Sequence, residues 1–306
     1  MRMEAERFRL CSAIDCPRRS ERRRVTAVIR LDGVRLAAQR LPALRARAAA
    51  VRDARGSAPV LGILAFADAS GSASYVAGKV RAGIAAGVDV EVRTVPYGAG
   101  IEDARRVLDD LAQLAGVDGV FVQFPYPDAA WGAELESRIP DAFDVDVMSP
   151  ARVTRFLNDA EQWPPVTVSA AFALLDAHGV VIAGRRGVVI AEPSDFAAMF
   201  RHAFVRRGVT MPQLIPPASA MEDDRLRVAE VVIVAAGVPG LVDAQSLAPG
   251  AIVIDVGYFN PGGRGDIDIG GGITHLGAIA AVPGSIGPMT VSCLIERVIR
   301  FAESRA

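Results

Sequence analysis

The sequence is short of lysine. Of its 34 basic side chains one, Lys79, is lysine and the rest are arginine. Cysteine is scarce too. Cys11, Cys16 and Cys293 cannot make a disulfide framework, and Cys11 and Cys16 have no matching Cys/His pair, so neither a disulfide scaffold nor a metal site is expected. That usage fits a reducing, cytoplasmic setting. No apolar run reaches the roughly 18 residues that a membrane span needs. A net charge of −1 gives no electrostatic basis for nucleic acid or an anionic membrane as partner. The first 24 residues are rich in arginine with no apolar stretch after them. This excludes a secretory signal and predicts a disordered extension over 1–24.

What the chain does have is apolar bulk. At 306 residues and 51% hydrophobic it can bury a large core, and its length predicts two domains. Apolar residues at helical spacing over Val25–Val51 predict an amphipathic helix. Pro59–Phe66 is a continuous apolar run of strand length, as expected for a parallel strand covered on both faces. A helix is predicted from about Ser74 to Ala86, with Tyr75 and Lys79 four apart on one face. A strand over Asp89–Val95, a helix over Ile101–Ala115 and a buried strand over Gly119–Phe124 follow, and Gln123 lies at the carboxyl end of the last. In open α/β sheets ligands bind beyond such ends. After Pro150 come a helix over Thr167–His178, strands at 187–191, 231–235 and 251–255, and a weak strand at 209–215 interrupted by Pro212. An amphipathic helix follows Thr290. Strands alternating with helices predict a doubly wound parallel sheet.

Lys79 is where the preference for arginine stops. Arginine keeps its proton near neutral pH, whereas a lysine in a dry pocket can release it. The position is therefore a candidate for proton transfer. Composition alone leaves a chance survivor on a solvated helix face as an equal reading.

Six segments, in order, resemble the bifunctional methylenetetrahydrofolate dehydrogenase/methenyltetrahydrofolate cyclohydrolase family. They are Ser74-Tyr75-Val76-x-x-Lys79, Val122-Gln123-Phe124-Pro125-Tyr126-Pro127 (Val-Gln-Leu-Pro-Leu-Pro in the family), Asp144-Val145-Asp146, Gly237-Val238-Pro239-Gly240, Pro249 to Gly257, and Val282-Pro283-Gly284-x-x-Gly287-Pro288-Met289-Thr290. The likeness spans about Leu31 to Phe301. It implies an N-terminal α/β folate-binding domain (25–149 with 283–306), a Rossmann-like domain (150–282), and a C-terminal helix returning to the first domain. It also implies a tetrahydrofolate derivative as substrate and a homodimer. Matched residue by residue, Tyr75 stacks on the folate ring, Lys79 transfers the proton, Gln123 holds Lys79, and Asp146 pairs with the amino-pyrimidine edge. Pro283, Gly284, Gly287 and Pro288 form a loop closing on the pterin.

The resemblance breaks on the cofactor side. Where the family has Gly-Arg-Ser-x-x-Val-Gly-x-Pro to cradle NADP phosphates, this chain has Ala191-Glu192-Pro193-Ser194-Asp195-Phe196-Ala197-Ala198-Met199. Glu192 reverses a charge and Pro193 removes an N–H donor. The family's Ser-Arg after the next strand is matched by no basic residue within Leu214–Ser219. Gly237 is the remaining candidate contact. Nearer the folate, Val147 stands where the family has glycine. The expectation is a methenyltetrahydrofolate cyclohydrolase with NADP in doubt. The alternatives are the full NADP-dependent bifunctional enzyme, a non-catalytic folate-binding subunit, or a related folate-dependent step.

Overall fold

The computed structural model describes residues 27–67, 72–258 and 263–306; the extension expected at 1–24 lies outside them. Among the described residues the chain builds two larger parallel sheets and a two-stranded one. β1 (Ile29–Arg30) and α1 (Gly33–Arg55) come first, then β2 (Val60–Ala67), α2 (Ser72–Ala86), β3 (Asp89–Pro96), α3 (Ile101–Ala112) and β4 (Gly119–Val122). β2 is the middle strand of a parallel β3-β2-β4 sheet, with Ile63 opposite Val92 on one side and Phe121 on the other. Leu61, Ile63 and Leu64 are fully buried, which is why this strand is apolar without alternation.

α4 (Trp131–Arg138), α5 (Pro150–Leu157) and α6 (Val166–Ala177) lead into the second sheet. That half comprises β5 (Arg186–Ile190), α7 (Asp195–Arg206), β6 (Thr210–Ile215), α8 (Asp224–Arg227), β7 (Val231–Val234), β8 (Val242–Asp243), β9 (Ile252–Asp255), β10 (Ile267–Asp268), β11 (Ala278–Ala280) and α9 (Ile286–Glu303). Six parallel strands run in the order β1-β11-β9-β7-β5-β6, and β8 pairs with β10 separately. The two-part α/β architecture with a doubly wound parallel sheet is as expected. α9 turns back to pack on α1, α2 and α6.

Three expectations need correction. The first helix does not begin at 25. Ile29 and Arg30 pair with Ala278 and Ile279 of β11, so that this segment belongs to the second sheet, and α1 begins after Asp32, whose carboxylate caps Arg35 N–H at 2.8 Å. Pro212 does not interrupt β6. The strand is at the sheet edge, where a missing N–H is tolerated. A register shift between Arg186 and Val188, with Met211 at φ 45°, absorbs the irregularity. Gly287 and Pro288 are not loop residues; they lie in the first turn of α9, where proline's missing N–H costs nothing.

Candidate active site

α2 starts just after β2 and lays Tyr75 and Lys79 over the end of the small sheet. Lys79 is only 5% exposed. Its Nζ donates a hydrogen bond of 2.7 Å to Gln123 Oε1 and lies 4.6 Å from the Phe121 ring centroid and 5.9 Å from that of Tyr75. Gln123 is fixed in turn: its backbone N–H donates to Leu64 O at 2.8 Å, and its side-chain amide nitrogen donates to Phe124 O. The amide oxygen is therefore the end that faces the lysine. Burial among aromatic rings pushes the Lys79 ammonium down from 10.5 to about 8, against the opposing pull of Asp146. A neutral amine is thus accessible near physiological pH.

Asp146 lies on the loop after α4, partly buried, with Oδ1 accepting from Val166 N–H at 3.1 Å. Burial and the neighbouring Asp144 push its carboxyl up to about 6, while the Val166 N–H, Arg297 and Lys79 restrain it. The loop is built on Asp144, which is fully buried and accepts from Val147 N–H at 2.7 Å and Ser149 N–H at 3.1 Å. This turn holds Val147 at φ 65°, a left-handed conformation that disfavours β-branched residues. The glycine that the resemblance implies at this position would sit there without strain.

Tyr75 is half-buried. Its ring meets Tyr258, three residues beyond β9, edge to face at 5.2 Å and 69°. Pro283 and Gly284 form the turn into α9. Gly284 O accepts from Gly33 and Val34 N–H, both at 3.0 Å, and Ser285 Oγ donates to Leu31 O at 2.6 Å. A Cβ at Gly33 would lie 1.8 Å from Ser285 O, so only glycine permits this junction. Pro288 lines a small apolar groove with Ala82, Ala85 and Ala86 of α2.

In the second half, Ala191 is buried at the end of β5 and Glu192, Pro193 and Ser194 are exposed. Ser194 caps α7, accepting from Ala197 N–H at 3.2 Å. Gly237 has φ 67°, and its N–H, with that of Ala236, donates to the Asp266 carboxylate at 3.0 and 2.6 Å. These donors are already used within the protein.

The profile of the tetrahydrofolate dehydrogenase/cyclohydrolase catalytic domain matches residues 31–146, and that of the NAD(P)-binding domain of the same family matches 165–306. "Bifunctional protein FolD 2" of Frankia casuarinae is 32% identical over 282 residues, covering 92% of this chain and 97% of its own length. The chain belongs to the tetrahydrofolate dehydrogenase/cyclohydrolase family. "Bifunctional protein FolD" of an Azoarcus species is 33% identical, covering 90% and 97%. Among solved structures, the Trypanosoma brucei methylenetetrahydrofolate dehydrogenase-cyclohydrolase, complexed with NADP and an inhibitor, superposes with a TM-score of 0.84 at 26% identity, covering 92% and 99%. The Campylobacter jejuni bifunctional enzyme does so at 0.81 and 25%, covering 92% and 100%.

For this family member, sequence reasoning missed three residues around the site. Arg297 reads as a solvated charge on α9, yet it is 4% exposed and donates to Val145 O at 3.2 Å, Pro164 O at 2.9 Å and Ser169 Oγ at 3.2 Å. Its place in the apolar stripe beside Leu294 and Val298 was the available signal. Glu136 is equally buried. Tyr126 donates to its Oε1 at 3.2 Å, and burial, with Asp146 and Asp144 nearby, holds its carboxyl well above the usual range. Tyr258 carried no signal at all, because its partner Tyr75 lies on α2, far away in the sequence.

Proposed function

We propose that this chain interconverts folate one-carbon units at the Lys79 site, and that the step its geometry supports best is hydrolysis of 5,10-methenyltetrahydrofolate to 10-formyltetrahydrofolate. The observation that carries this reading is the buried Lys79 amine, held near 8 and aimed by the Gln123 oxygen. The substrate is an amidinium-like cation. Water adds to its central carbon as the neutral Lys79 amine takes a proton. One C–N bond then breaks, and the lysine returns a proton to the departing nitrogen. The substrate's positive charge favours the neutral amine further. Asp146 accepts from the amino-pyrimidine edge, Tyr75 offers its ring to the folate, and the Pro283-Gly284 turn borders the site.

The name shared by the relatives favours a second reading, the full bifunctional enzyme with NADP-dependent dehydrogenase activity. The two readings part at residues 191–195. The residues present do not fit a phosphate: Glu192 and Asp195 place negative charge at the start of α7, Pro193 offers no N–H, and Ser194 is used as the cap. We infer that NADP is not held there. The test follows loss of the near-ultraviolet absorbance of methenyltetrahydrofolate. No rate above the buffer control, or an unchanged rate in Lys79→Arg, overturns the hydrolytic reading. Unaltered function in Lys79→Met would favour a non-catalytic folate-binding subunit. Calorimetric titration with NADP decides the second question: tight binding returns the chain to the bifunctional reading.

A further inference from the structure

A cavity of about 630 Å³ opens where α5, α6, α7 and α9 meet, and neither Lys79, Tyr75, Gln123 nor Asp146 lines it. Its wall carries five arginines, Arg40, Arg206, Arg207, Arg297 and Arg300, against two carboxylates, Asp176 and Glu296. On a chain of net charge −1 this is a strong local excess of positive charge. The carboxylates are already engaged. Asp176 takes both terminal nitrogens of Arg207 at 2.6 and 2.9 Å, and Glu296 is shared by Arg40, Arg47 and Arg300. The hydrogen bonds of Arg297 go to uncharged oxygens, and Arg206 donates to Glu161 O at 3.3 Å and has the exposed Asp159 at 3.8 Å.

The arginines are interleaved with aromatic rings. The guanidinium carbons of Arg297 and Arg300 lie 5.2 and 4.8 Å from the Trp163 ring centroid, that of Arg206 lies 5.3 Å from Phe156, and that of Arg207 lies 4.9 Å from Phe172. Guanidinium groups bind phosphate and carboxylate oxygens in pairs, and aromatic faces bind flat rings. A volume of this order suits a small ligand.

We propose that this cavity is a second binding site, for a small oligoanion that carries a planar ring, the chemistry of a nucleoside polyphosphate. The phosphates lie against Arg206 and Arg300, at the open side, and the ring lies against Trp163. The site is coupled to the folate pocket. Arg297 reaches from its wall to Val145 O, the residue before Asp146. A ligand that draws on Arg297 loosens the contact that positions Asp146 and weakens folate binding.

The binding test uses the full chain, with ATP as probe in a calorimetric titration. ATP is expected to bind, inorganic triphosphate to bind more weakly, and Arg206→Glu/Arg300→Glu to bind ATP roughly a hundredfold less tightly, two charge-assisted contacts having been lost. A circular dichroism melt checks that the variant is folded; if it is not, Arg300→Gln serves, with roughly a tenfold loss expected. Absence of binding to the wild type, or equal affinity in the variant, overturns the site. The second outcome would place the nucleotide elsewhere, the β5–α7 turn included. Equal affinity for triphosphate overturns the role of the ring. The coupling rests on the folate reading above and is tested separately: saturating ATP should raise the KM for methenyltetrahydrofolate with kcat kept within about twofold. An unchanged KM overturns the coupling and leaves the binding result standing.

Discussion

Replacing Lys79 by methionine separates the price of a buried amine from its use. Methionine keeps the length and apolar stem of the side chain and removes the charge. Holding an amine whose ordinary value is 10.5 down at about 8 costs the folded state about 3 kcal/mol wherever the unfolded lysine is protonated and the folded one must be protonated too. Below about pH 8 that cost is complete. As the pH rises from 8 towards 10.5 the folded amine is already neutral, deprotonating the unfolded chain becomes easier, and the cost vanishes. Against this, Lys79→Met leaves Gln123 Oε1 buried without its donor, a loss of about 1–3 kcal/mol that does not depend on pH. At pH 7 the variant should therefore be about as stable as the wild type or up to about 2 kcal/mol more stable, with no hydrolase activity. The clean quantity is the pH dependence. In urea titrations followed by far-ultraviolet circular dichroism, the stability difference should move by about 3 kcal/mol in favour of the wild type between pH 7.5 and 10.5. Curves that run parallel to within about 1 kcal/mol would mean that Lys79 is not depressed, and the reasoning that makes it a base at neutral pH would fail.

Three further outcomes can be measured. The kcat/KM for methenyltetrahydrofolate, after subtraction of buffer hydrolysis, should rise with pH and level off above about 8 as Lys79 becomes neutral. It should fall more steeply below about 6, where Asp146 takes up a proton; a profile flat from pH 6 to 9 refutes the Lys79 assignment, and no added steepness below pH 6 refutes that of Asp146. Val147→Gly should be more stable than Val147→Ala by about 1 kcal/mol, the reverse of the usual order, because both lose the buried side chain and only glycine relieves the left-handed backbone. Equal or inverted stabilities in thermal melts would remove the strain argument. Tyr258→Ala should raise the folate KM by roughly two- to tenfold, the worth of one edge-on aromatic contact, with kcat nearly kept. A fall in kcat alone would place Tyr258 in the chemistry instead.

Much of the candidate site could be read from the sequence because its pieces are local. Tyr75 and Lys79 share a helix face, Gln123 ends a strand, and Asp146 follows a short helix, so each is marked by its own neighbourhood. The long buried strands were legible for the same reason: Leu61 to Leu64 admit no polar residue. What escaped was set by contacts distant in sequence. β1 and β11 are two and three residues long, too short for any periodicity, and exist only because they pair with each other and with β9. Gly287 and Pro288 read as a turn, since glycine and proline together are the usual mark of one; only the packing of α9 shows them inside its first turn. Arg297 and Glu136 look like surface charges because most such residues are. Their burial depends on carbonyls and a tyrosine supplied from elsewhere in the chain.

The two ends of the described chain are exchanged between the halves. Residues 29–30 belong to the sheet of the second half, and α9, which follows that sheet, packs against α1 and α2 of the first. Neither half is therefore a module that could be excised or traded between genes. Cutting out the second would leave α1 without the strand that leads into it and without the helix that covers it. A lineage with no further need for a dinucleotide could shed it by a few point substitutions around Glu192 and Pro193, but would have to go on making the whole of the sheet behind them.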